Sequence, residues 1–211
     1  MLARESVAVL VAHPDDETLW AGGVLLGHPN WAPFVACACR AQDADRAPKF
    51  YRVLAQLGAL GAMADLDDGP AQTPLPDEPV EGALLQCLPR RNFDRIVTHS
   101  PLGEYTRHLR HEEVARAVLR LWLRGTLSAP ELWLFAYDDD GGRRLPEAKA
   151  NADIVHELSS DVWQRKQRLI TDEYGFSADS WEARVTPRTE AFTRINTAEQ
   201  ARAWLEQTRS P

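Results

Sequence analysis

A continuous apolar run at residues 7–12, Val-Ala-Val-Leu-Val-Ala, is the feature that most constrains the fold of this chain. It leaves no polar side chain to face water, which is the pattern of a β-strand covered on both faces. Strands of this kind occur in parallel sheets, where the connections are helices that pack on the sheet. Strand-like segments at 31–39, 93–98 and 131–137 alternate with helical patterns. The sequence therefore predicts an α/β fold with a mostly parallel sheet.

Helical patterns fill most of the chain between and after these strands. The predicted helices span residues 17–26, 49–60, 80–89, 112–123, 151–170 and 197–208. Residues 65–79 and 100–107 are predicted to be loops. No change of composition marks a boundary, so residues 1–211 are expected to form a single domain. In a fold of this class, ligands bind beyond the carboxyl ends of the strands.

Charge and composition exclude several classes of protein. The net charge of −7 argues against a protein that binds nucleic acid by neutralising phosphates. The run at 7–12 is too short to span a membrane and lacks the cleavage site of a signal peptide. The three cysteines are an odd number and are predicted to be reduced, buried thiols. These features predict a cytoplasmic protein whose partner is not a nucleic acid. No pattern in the sequence predicts an oligomeric state.

Histidine and aspartate follow the predicted strands at the points where they end. The segment His-Pro-Asp-Asp-Glu at 13–17 follows the first strand, His99 follows the strand at 93–98, and His108 and His111 begin a helix. The carboxyl ends of parallel strands meet at one edge of a sheet, so these side chains are expected to lie together. Two imidazoles and one carboxylate are a common catalytic zinc set, with the fourth position left to water.

The same pattern supplies the other parts of a metal-dependent hydrolase. Zinc lowers the pKa of its water and polarises a carbonyl, and a carboxylate outside the ligand set then serves as general base. Asp15 stands beside the candidate ligands, and a remaining histidine can donate a hydrogen bond to the oxyanion. From spacing alone, two ordinary interpretations stay open. The carboxylates are also typical of a helix N-terminus, and the histidine pair is also typical of a solvated helix start.

Other nucleotide-binding and hydrolase motifs are absent from the sequence. The two aspartates after the first strand are adjacent, which is unlike the aspartate site of phosphate-transferring enzymes. No GxGxxG fingerprint follows a strand, and neither a G-x-S-x-G nor a GK[ST] motif occurs. These absences remove the dinucleotide-binding, serine hydrolase and P-loop interpretations.

Two segments of the chain resemble the signature blocks of the PIG-L/LmbE family of metal-dependent N-deacetylases. They are VLVAHPDDETLWAGG at 9–23 and THSPLGEYTRHLRHEEVARAV at 98–118. The resemblance implies a Rossmann-like three-layer fold with its active site at the C-termini of the strands. It also implies removal of an N-acetyl or other N-acyl group from an amino-sugar-containing small molecule. The implied cofactor is zinc, with ferrous iron as the alternative ion.

The resemblance also assigns roles residue by residue. His13, Asp16 and His111 match the metal ligands of the family, Asp15 matches the general base, and His108 matches the residue that stabilises the oxyanion in its protonated form. The chain departs from the family inside the second block. Leu109 stands where the family often has proline, and Arg110 stands where it often has an acidic residue.

The remaining candidate residues lie in loops and in the C-terminal part. Glu104 and Tyr105 precede the histidine pair and are expected to contact substrate, because loop residues at the active edge often do. Arg188 and Glu190 are further candidates for substrate binding, and His99 is a candidate to support a metal ligand from behind. The aromatic-rich segment 171–192 gives no sugar-binding pattern of its own.

Three alternative functions stay open on the sequence. One is an amidase that acts on a non-sugar natural product or a thiol-conjugate amide. Another is a non-catalytic metal-binding protein on the same fold. The third is a non-haem iron oxygenase, which uses the same ligand types. In such oxygenases one residue usually separates the first histidine from the carboxylate, whereas two residues separate His13 from Asp16.

Overall fold

The computed structural model of the protein describes residues 4–105 and 108–207. Its strands are β1 Glu5–Val11, β2 Trp31–Cys39, β3 Leu60–Leu66, β4 Arg95–Thr98, β5 Leu132–Phe135, β6 Tyr137–Asp138, β7 Glu147–Ala148, β8 Ile154–Glu157 and β9 Thr189–Ile195. Its helices are α1 Asp16–Gly27, α2 Arg46–Leu57, α3 Asp77–Cys87, α4 Leu109–Leu123, α5 Ser160–Arg168, α6 Trp181–Val185 and α7 Ala198–Gln207. A π-helical turn, Leu169–Glu173, continues α5.

Seven of the strands form one sheet in the order β3-β2-β1-β4-β5-β9-β8. The five strands from β3 to β5 are parallel, whereas β9 runs antiparallel to both β5 and β8. This confirms the predicted mostly parallel sheet. The chain leaves β1 towards β2 on one side and returns to β4 on the other, so the strand order reverses between β1 and β4. Such a reversal opens a crevice at the carboxyl ends of the strands, where ligands bind.

The core lies on both faces of this sheet and makes three layers. Val7, Val9 and Val11 of β1 pack with α1 and α2 on one face. Ala8 and Leu10 pack with α3, α4 and α7 on the other face. All five residues are fully buried, as the apolar run predicted. Among the described residues, no helix combines the length and the apolar character needed to cross a membrane.

The sequence prediction was wrong at the edges of the sheet. Residues 60–66 form β3, although the helical pattern was extended to residue 60 and a loop was predicted from residue 65. β3 is a partly exposed edge strand, so it lacks the apolar signature of β1. The predicted helix 151–170 begins instead with the edge strand β8, and α5 starts only after Ser159 caps it. Residues 106–107 of one predicted loop and residue 208 of the last predicted helix lie outside the described residues.

The Gly22-Gly23 pair in α1 permits a close approach of the C-terminal part of the chain. A Cβ atom on Gly23 would lie 2.4 Å from the methyl groups of Leu158, and one on Gly22 would contact the stem of Lys166. Lys166 is fully buried, and its Nζ lies 2.7 Å from Glu190 Oε1. The carboxylate of Glu190 also accepts the backbone N–H groups of Gly23 and Val24, each at 2.7 Å. These contacts dock α5 and β9 on the helix that begins at the crevice.

Candidate metal centre

The turn between β1 and α1 places three aspartate and histidine side chains at the crevice. Asp16 Oδ2 accepts the backbone N–H of His13 at 2.8 Å, and Glu17 Oε2 accepts the backbone N–H of Asp15 at 3.2 Å. Asp15 has a φ of 135°, which is unusual for a residue other than glycine. Backbone strain of this kind is held in place by surrounding contacts and clusters at functional sites.

Donor atoms of three side chains converge where this turn meets the start of α4. His13 Nδ1 lies 3.1 Å from His111 Nε2 and 3.3 Å from Asp16 Oδ2. His111 Nε2 lies 3.4 Å from Asp16 Oδ1. In a tetrahedral zinc site with bonds of about 2.0–2.1 Å, the ligand atoms are about 3.3–3.4 Å apart. The spacing of these three donors therefore fits one metal ion.

Each of the two imidazoles also faces a carboxylate on its far side. His111 Nδ1 is 2.7 Å from Glu104 Oε2, and His13 Nε2 is 3.1 Å from Asp68 Oδ1. A carboxylate acceptor holds the proton on the nitrogen that faces it. With the proton of each ring on the nitrogen that faces Glu104 or Asp68, His13 Nδ1 and His111 Nε2 carry lone pairs that face each other 3.1 Å apart beside the Asp16 carboxylate. In that state all three side chains can donate to one cation.

The electrostatics of His13 point the same way. Burial alone would lower its pKa, but hydrogen bonds and charges from Asp16 and Asp68 raise it to about 10. In the absence of a metal, a proton therefore supplies the positive charge that this position favours. A metal ion supplies that charge in its place, because ligating histidines must be deprotonated.

His99 lies behind His111. The two rings stack with their centroids 4.0 Å apart. His99 Nε2 accepts the backbone N–H of Ala12 at 3.0 Å, and its Nδ1 lies 3.1 Å from Glu104 Oε2. Although Nε2 is also within 3.4 Å of Asp16, the bond from Ala12 occupies its lone pair. His99 is therefore not free to bind the metal.

Glu104 lies behind the centre, and the expectation that it contacts substrate does not fit its position. Its side chain is buried and bonds to His99, His111 and the backbone N–H of Ser100, the last at 2.7 Å. Burial would raise its pKa, but His99 and His111 lower it to about 2. Glu104 is thus an ionised acceptor for two imidazoles, out of reach of a substrate.

His108 lies at the mouth of the centre, beside both histidine ligands. Its ring stacks on His111 and makes an edge contact with His13, with centroid distances of 4.6 Å in each case. Burial and the neighbouring imidazoles lower its pKa to about 4, so the ring is neutral at pH 7 rather than protonated. Within the described part of the chain, its Nδ1 has no hydrogen-bond partner. A neutral ring still offers one N–H donor.

A polar cavity of about 230 Å³ opens onto these groups. Tyr105 lines it, as expected for a substrate-contacting residue, and its ring lies 4.8 Å from that of Trp181. Trp181 is 37% exposed, so an aromatic face is available to a ligand. The cavity walls also include residues that the sequence analysis did not single out, namely Leu19, Arg40, Arg46, Asp68 and Glu182.

Asp15 reaches the same cavity with its carboxylate free of the donor set. Its Oδ2 lies 3.5 Å from Arg46 Nη1. Burial and the charge of Asp16 raise the pKa of Asp15 well above its usual range, against the opposing charge of Arg46. A carboxylate with a raised pKa is suited to accept and return a proton near neutral pH.

Arg188 and Glu190 lie away from this cavity, and the expectation that they bind substrate does not fit their positions. The Arg188 guanidinium stacks 3.7 Å above the ring of Trp163 in a separate surface depression. Glu190 is fully buried, and its carboxylate is occupied by Lys166 and the backbone of α1. Both residues belong to the packing of the C-terminal part of the chain.

Asp68 was missed because it follows β3, the strand that was itself missed. The residues after a parallel strand reach the same edge of the sheet as those after β1. Recognition of 60–66 as a strand would have brought the acidic segment Asp-Leu-Asp-Asp at 65–68 to the site. Arg40 follows β2 in the same way. Both residues could have been found by identifying which segments are parallel strands, but not from any local motif.

The buried carboxyl of Glu17 is expected to make the stability of the folded protein depend on pH. This carboxyl accepts hydrogen bonds from Thr18 and Tyr174 at 2.6 and 2.7 Å, and burial raises its pKa from 4.5 to about 7. The folded state therefore prefers the protonated form, and stability is lost as the pH rises from about 4.5 through 7. The loss from this group approaches about 3 kcal/mol. Urea denaturation at pH 5 and pH 8 measures this loss, and the free energy of unfolding of Glu17→Gln is expected to fall less between the two pH values. An equal fall in both proteins would contradict the assignment.

Comparisons with known proteins show a shared fold at low sequence identity. No protein-family model matches the chain. It is 20% identical over 184 residues to an uncharacterized protein of Acanthamoeba polyphaga mimivirus, and the match covers 80% of this chain and 75% of that protein.

Solved structures resemble the chain over most of its length. N,N'-diacetylchitobiose deacetylase from Pyrococcus horikoshii matches with a TM-score of 0.67 at 15% identity, over 91% of this chain and 84% of that one. The A40926 pseudoaglycone deacetylase Dbv21 matches with a TM-score of 0.60 at 14% identity, over 92% and 98%. The 4-carboxy-2-hydroxymuconate hydratase GalB of Pseudomonas putida KT2440 matches with a TM-score of 0.61 at 16% identity, over 90% and 96%. The chain thus has the Rossmann-like fold of LmbE/PIG-L-type deacetylases, as its resemblance to that family implied.

Proposed function

We propose that the protein is a metal-dependent hydrolase that removes the acetyl group from a small N-acetylated, amino-sugar-containing molecule. The observation that carries the proposal is the convergence of donor atoms of His13, Asp16 and His111, 3.1–3.4 Å apart, with the carboxylate of Asp15 outside this donor set in the same cavity. Two imidazoles, one carboxylate and an open position are a catalytic zinc set. Zinc is the proposed ion, and ferrous iron is the alternative.

The solved neighbours support the sugar substrate in particular. One is named for N,N'-diacetylchitobiose and another for the A40926 pseudoaglycone, and both are deacetylases. In this chain, Tyr105 and the exposed Trp181 form an aromatic wall beside the donors. The apolar face of a sugar ring packs well against such a wall. We further propose that residues 1–211 form one domain and that the protein is cytoplasmic, where its three free cysteines would stay reduced.

In the proposed mechanism, each of these residues has a separate role. A metal held by His13, Asp16 and His111 would supply an activated water and polarise the acyl carbonyl. The Asp15 carboxylate accepts a proton from the attacking water and passes it to the leaving nitrogen. A ring N–H of neutral His108 donates a hydrogen bond to the developing oxyanion. The C–N bond breaks, and a free amine and acetate leave.

The test is a direct assay with a panel of N-acyl compounds. Protein loaded with zinc is incubated with N-acetylglucosamine, diacetylchitobiose and non-sugar acetamides, and acetate and free amine are measured together. We expect equal amounts of both products from the sugars and none after chelation. Turnover of the non-sugar amides alone would favour an amidase of another substrate class. A metal-loaded protein inert to the whole panel would favour a non-catalytic metal-binding protein.

A second candidate function is hydration of a carboxylated substrate. Arg40 and Arg46 line the cavity, and guanidinium groups are well suited to bind carboxylates. The fold is also that of 4-carboxy-2-hydroxymuconate hydratase, so it hosts this chemistry in at least one protein. A protein with this activity would add one water molecule to an unsaturated, carboxylated enol acid and would release no acetate. Both arginines already face carboxylates of the chain itself, which is why the deacetylase is preferred.

A further inference from the structure

Asp68 occupies the far side of a proposed metal ligand. Its Oδ1 lies 3.1 Å from His13 Nε2, and its Oδ2 lies 2.8 Å from Arg40 Nη2. Gln72 Nε2 donates to Oδ1 at 3.1 Å. The Asp68 side chain is only 9% exposed, so these contacts define its position. It comes from the loop after β3, a part of the chain separate from both signature segments.

Arg110 hydrogen-bonds to the loop that contains Asp68 and anchors it. It is buried, and it donates from Nε to the carbonyl of Asp67 at 2.5 Å and from Nη2 to the carbonyl of Thr73 at 2.7 Å. Its Nη1 pairs with Glu113 at 2.5 Å, and Glu113 accepts the backbone N–H of Leu75 at 2.9 Å. A buried guanidinium is stable only when its donors are satisfied, so these bonds hold the loop firmly against α4.

The position of Arg110 couples this loop to the metal centre. Arg110 directly precedes His111 on the first turn of α4. The same turn therefore presents one ligand to the metal and anchors the loop that reaches around to the other ligand, His13. The arrangement also gives both imidazoles the same kind of partner. Glu104 faces His111 Nδ1 at 2.7 Å, as Asp68 faces His13 Nε2.

We infer that Asp68 is the positioning residue of His13, and that Arg110 holds the loop that carries it. The Asp68 carboxylate, 3.1 Å from Nε2 of His13, favours the proton on that nitrogen and so leaves Nδ1 unprotonated and turned towards His111 and Asp16. The role rests on the proposed metal site, but it concerns metal affinity rather than turnover. Carboxylates behind ligating histidines raise the basicity of the ligand and fix its ring, and their loss typically weakens metal binding 10–100-fold.

Another role is open to the same residues. His13, Cys39 and Asp68 also have potential ligand atoms within 4.8 Å of one another, so they form a second group that could hold an ion. In that arrangement Nε2 of His13 binds an ion and donates no hydrogen bond. The two roles differ in the number of metal ions per chain and in the nitrogen of His13 that carries the proton.

The test measures zinc affinity by competition with a chelator of known strength. Asp68→Asn is expected to bind one zinc per chain about 10–100-fold more weakly than the unaltered protein. Arg110→Met, which touches no ligand, is expected to weaken binding in the same direction. Asp43→Asn is the matched control, because Asp43 pairs with the same Arg40 and does not contact His13. Its affinity is expected to be unchanged.

A measurement on the unaltered protein guards against a variant that fails to fold. In the zinc-loaded protein, ¹⁵N NMR of His13 is expected to show a protonated Nε2 and a metal-bound Nδ1. An Asp68→Asn protein that binds zinc as tightly as the parent, or a parent that binds two ions with Nε2 of His13 metal-bound, would overturn the inference. Unaltered protein that binds zinc but releases no acetate would instead overturn the proposed reaction and leave this inference standing.

Discussion

Replacement of Asp15 by asparagine is expected to lower kcat for N-acyl hydrolysis by about 10²–10⁴-fold. An amide of the same size cannot accept a proton from the attacking water, so the loss falls on the chemical step. Asp15 is not one of the three converging donors, and its carboxylate faces Arg46 at 3.5 Å. The metal content of the variant is therefore expected to equal that of the parent. Steady-state kinetics and metal analysis on the same preparation measure both quantities.

The pH profile separates a general base from a residue that only binds substrate. Because burial and Asp16 raise the pKa of Asp15, its ionised fraction falls as the pH drops towards that raised value. We expect kcat/KM of the parent to fall with it, at a pH above the usual range of an aspartate. The residual activity of Asp15→Asn is expected to lack this acid limb.

Asp45→Asn is the matched control for this experiment. Asp45 precedes Arg46 in the chain but is largely exposed and pairs with Lys49, so the same chemical change there should leave kcat and its pH profile intact. An Asp15→Asn protein that retains the full kcat of the parent would remove Asp15 from the mechanism.

The sequence predicted the position of a strand correctly where burial on both faces of the sheet requires a continuous apolar run. The run at 7–12 identified β1, and β1 fixes where His13, Asp15 and Asp16 emerge. The helix predicted at 112–123 is also present as α4, although it begins three residues earlier, at Leu109. β1 lies in the middle of the sheet, where packing on both faces constrains its side chains.

The partners of the ligands could not be predicted from local spacing. Asp68 depends on β3, whose partly exposed residues carry no period of their own. Glu104 was recognised as a loop residue, but spacing does not tell whether a loop carboxylate points outward to a substrate or inward to His99 and His111. Glu190 lies on β9, whose antiparallel pairing with β5 joins segments about 60 residues apart, a contact that no short motif records. In each case the missing information was tertiary.

Replacement of Lys166 by methionine is expected to destabilise the fold by about 3–5 kcal/mol, because it leaves the carboxylate of Glu190 buried without its cation. Both side chains are fully buried, and the Glu190 carboxylate would retain only the backbone N–H groups of Gly23 and Val24. Urea denaturation at pH 7 measures the loss. The pair of Lys49 and Asp45, in which Asp45 is exposed and Lys49 is partly exposed, provides the control, since Lys49→Met should cost only about 0.3–0.5 kcal/mol.

A double variant tests whether the penalty comes from the unpaired charge or from lost packing. In Lys166→Met combined with Glu190→Gln, no charge remains to be buried, and the glutamine oxygen still accepts an N–H from α1. We expect this protein to recover most of the stability lost by Lys166→Met alone. A double variant as unstable as the single one would show that the stem of Lys166, packed on Gly22, matters more than its charge. Equal stability of Lys166→Met and Lys49→Met would contradict the buried pair altogether.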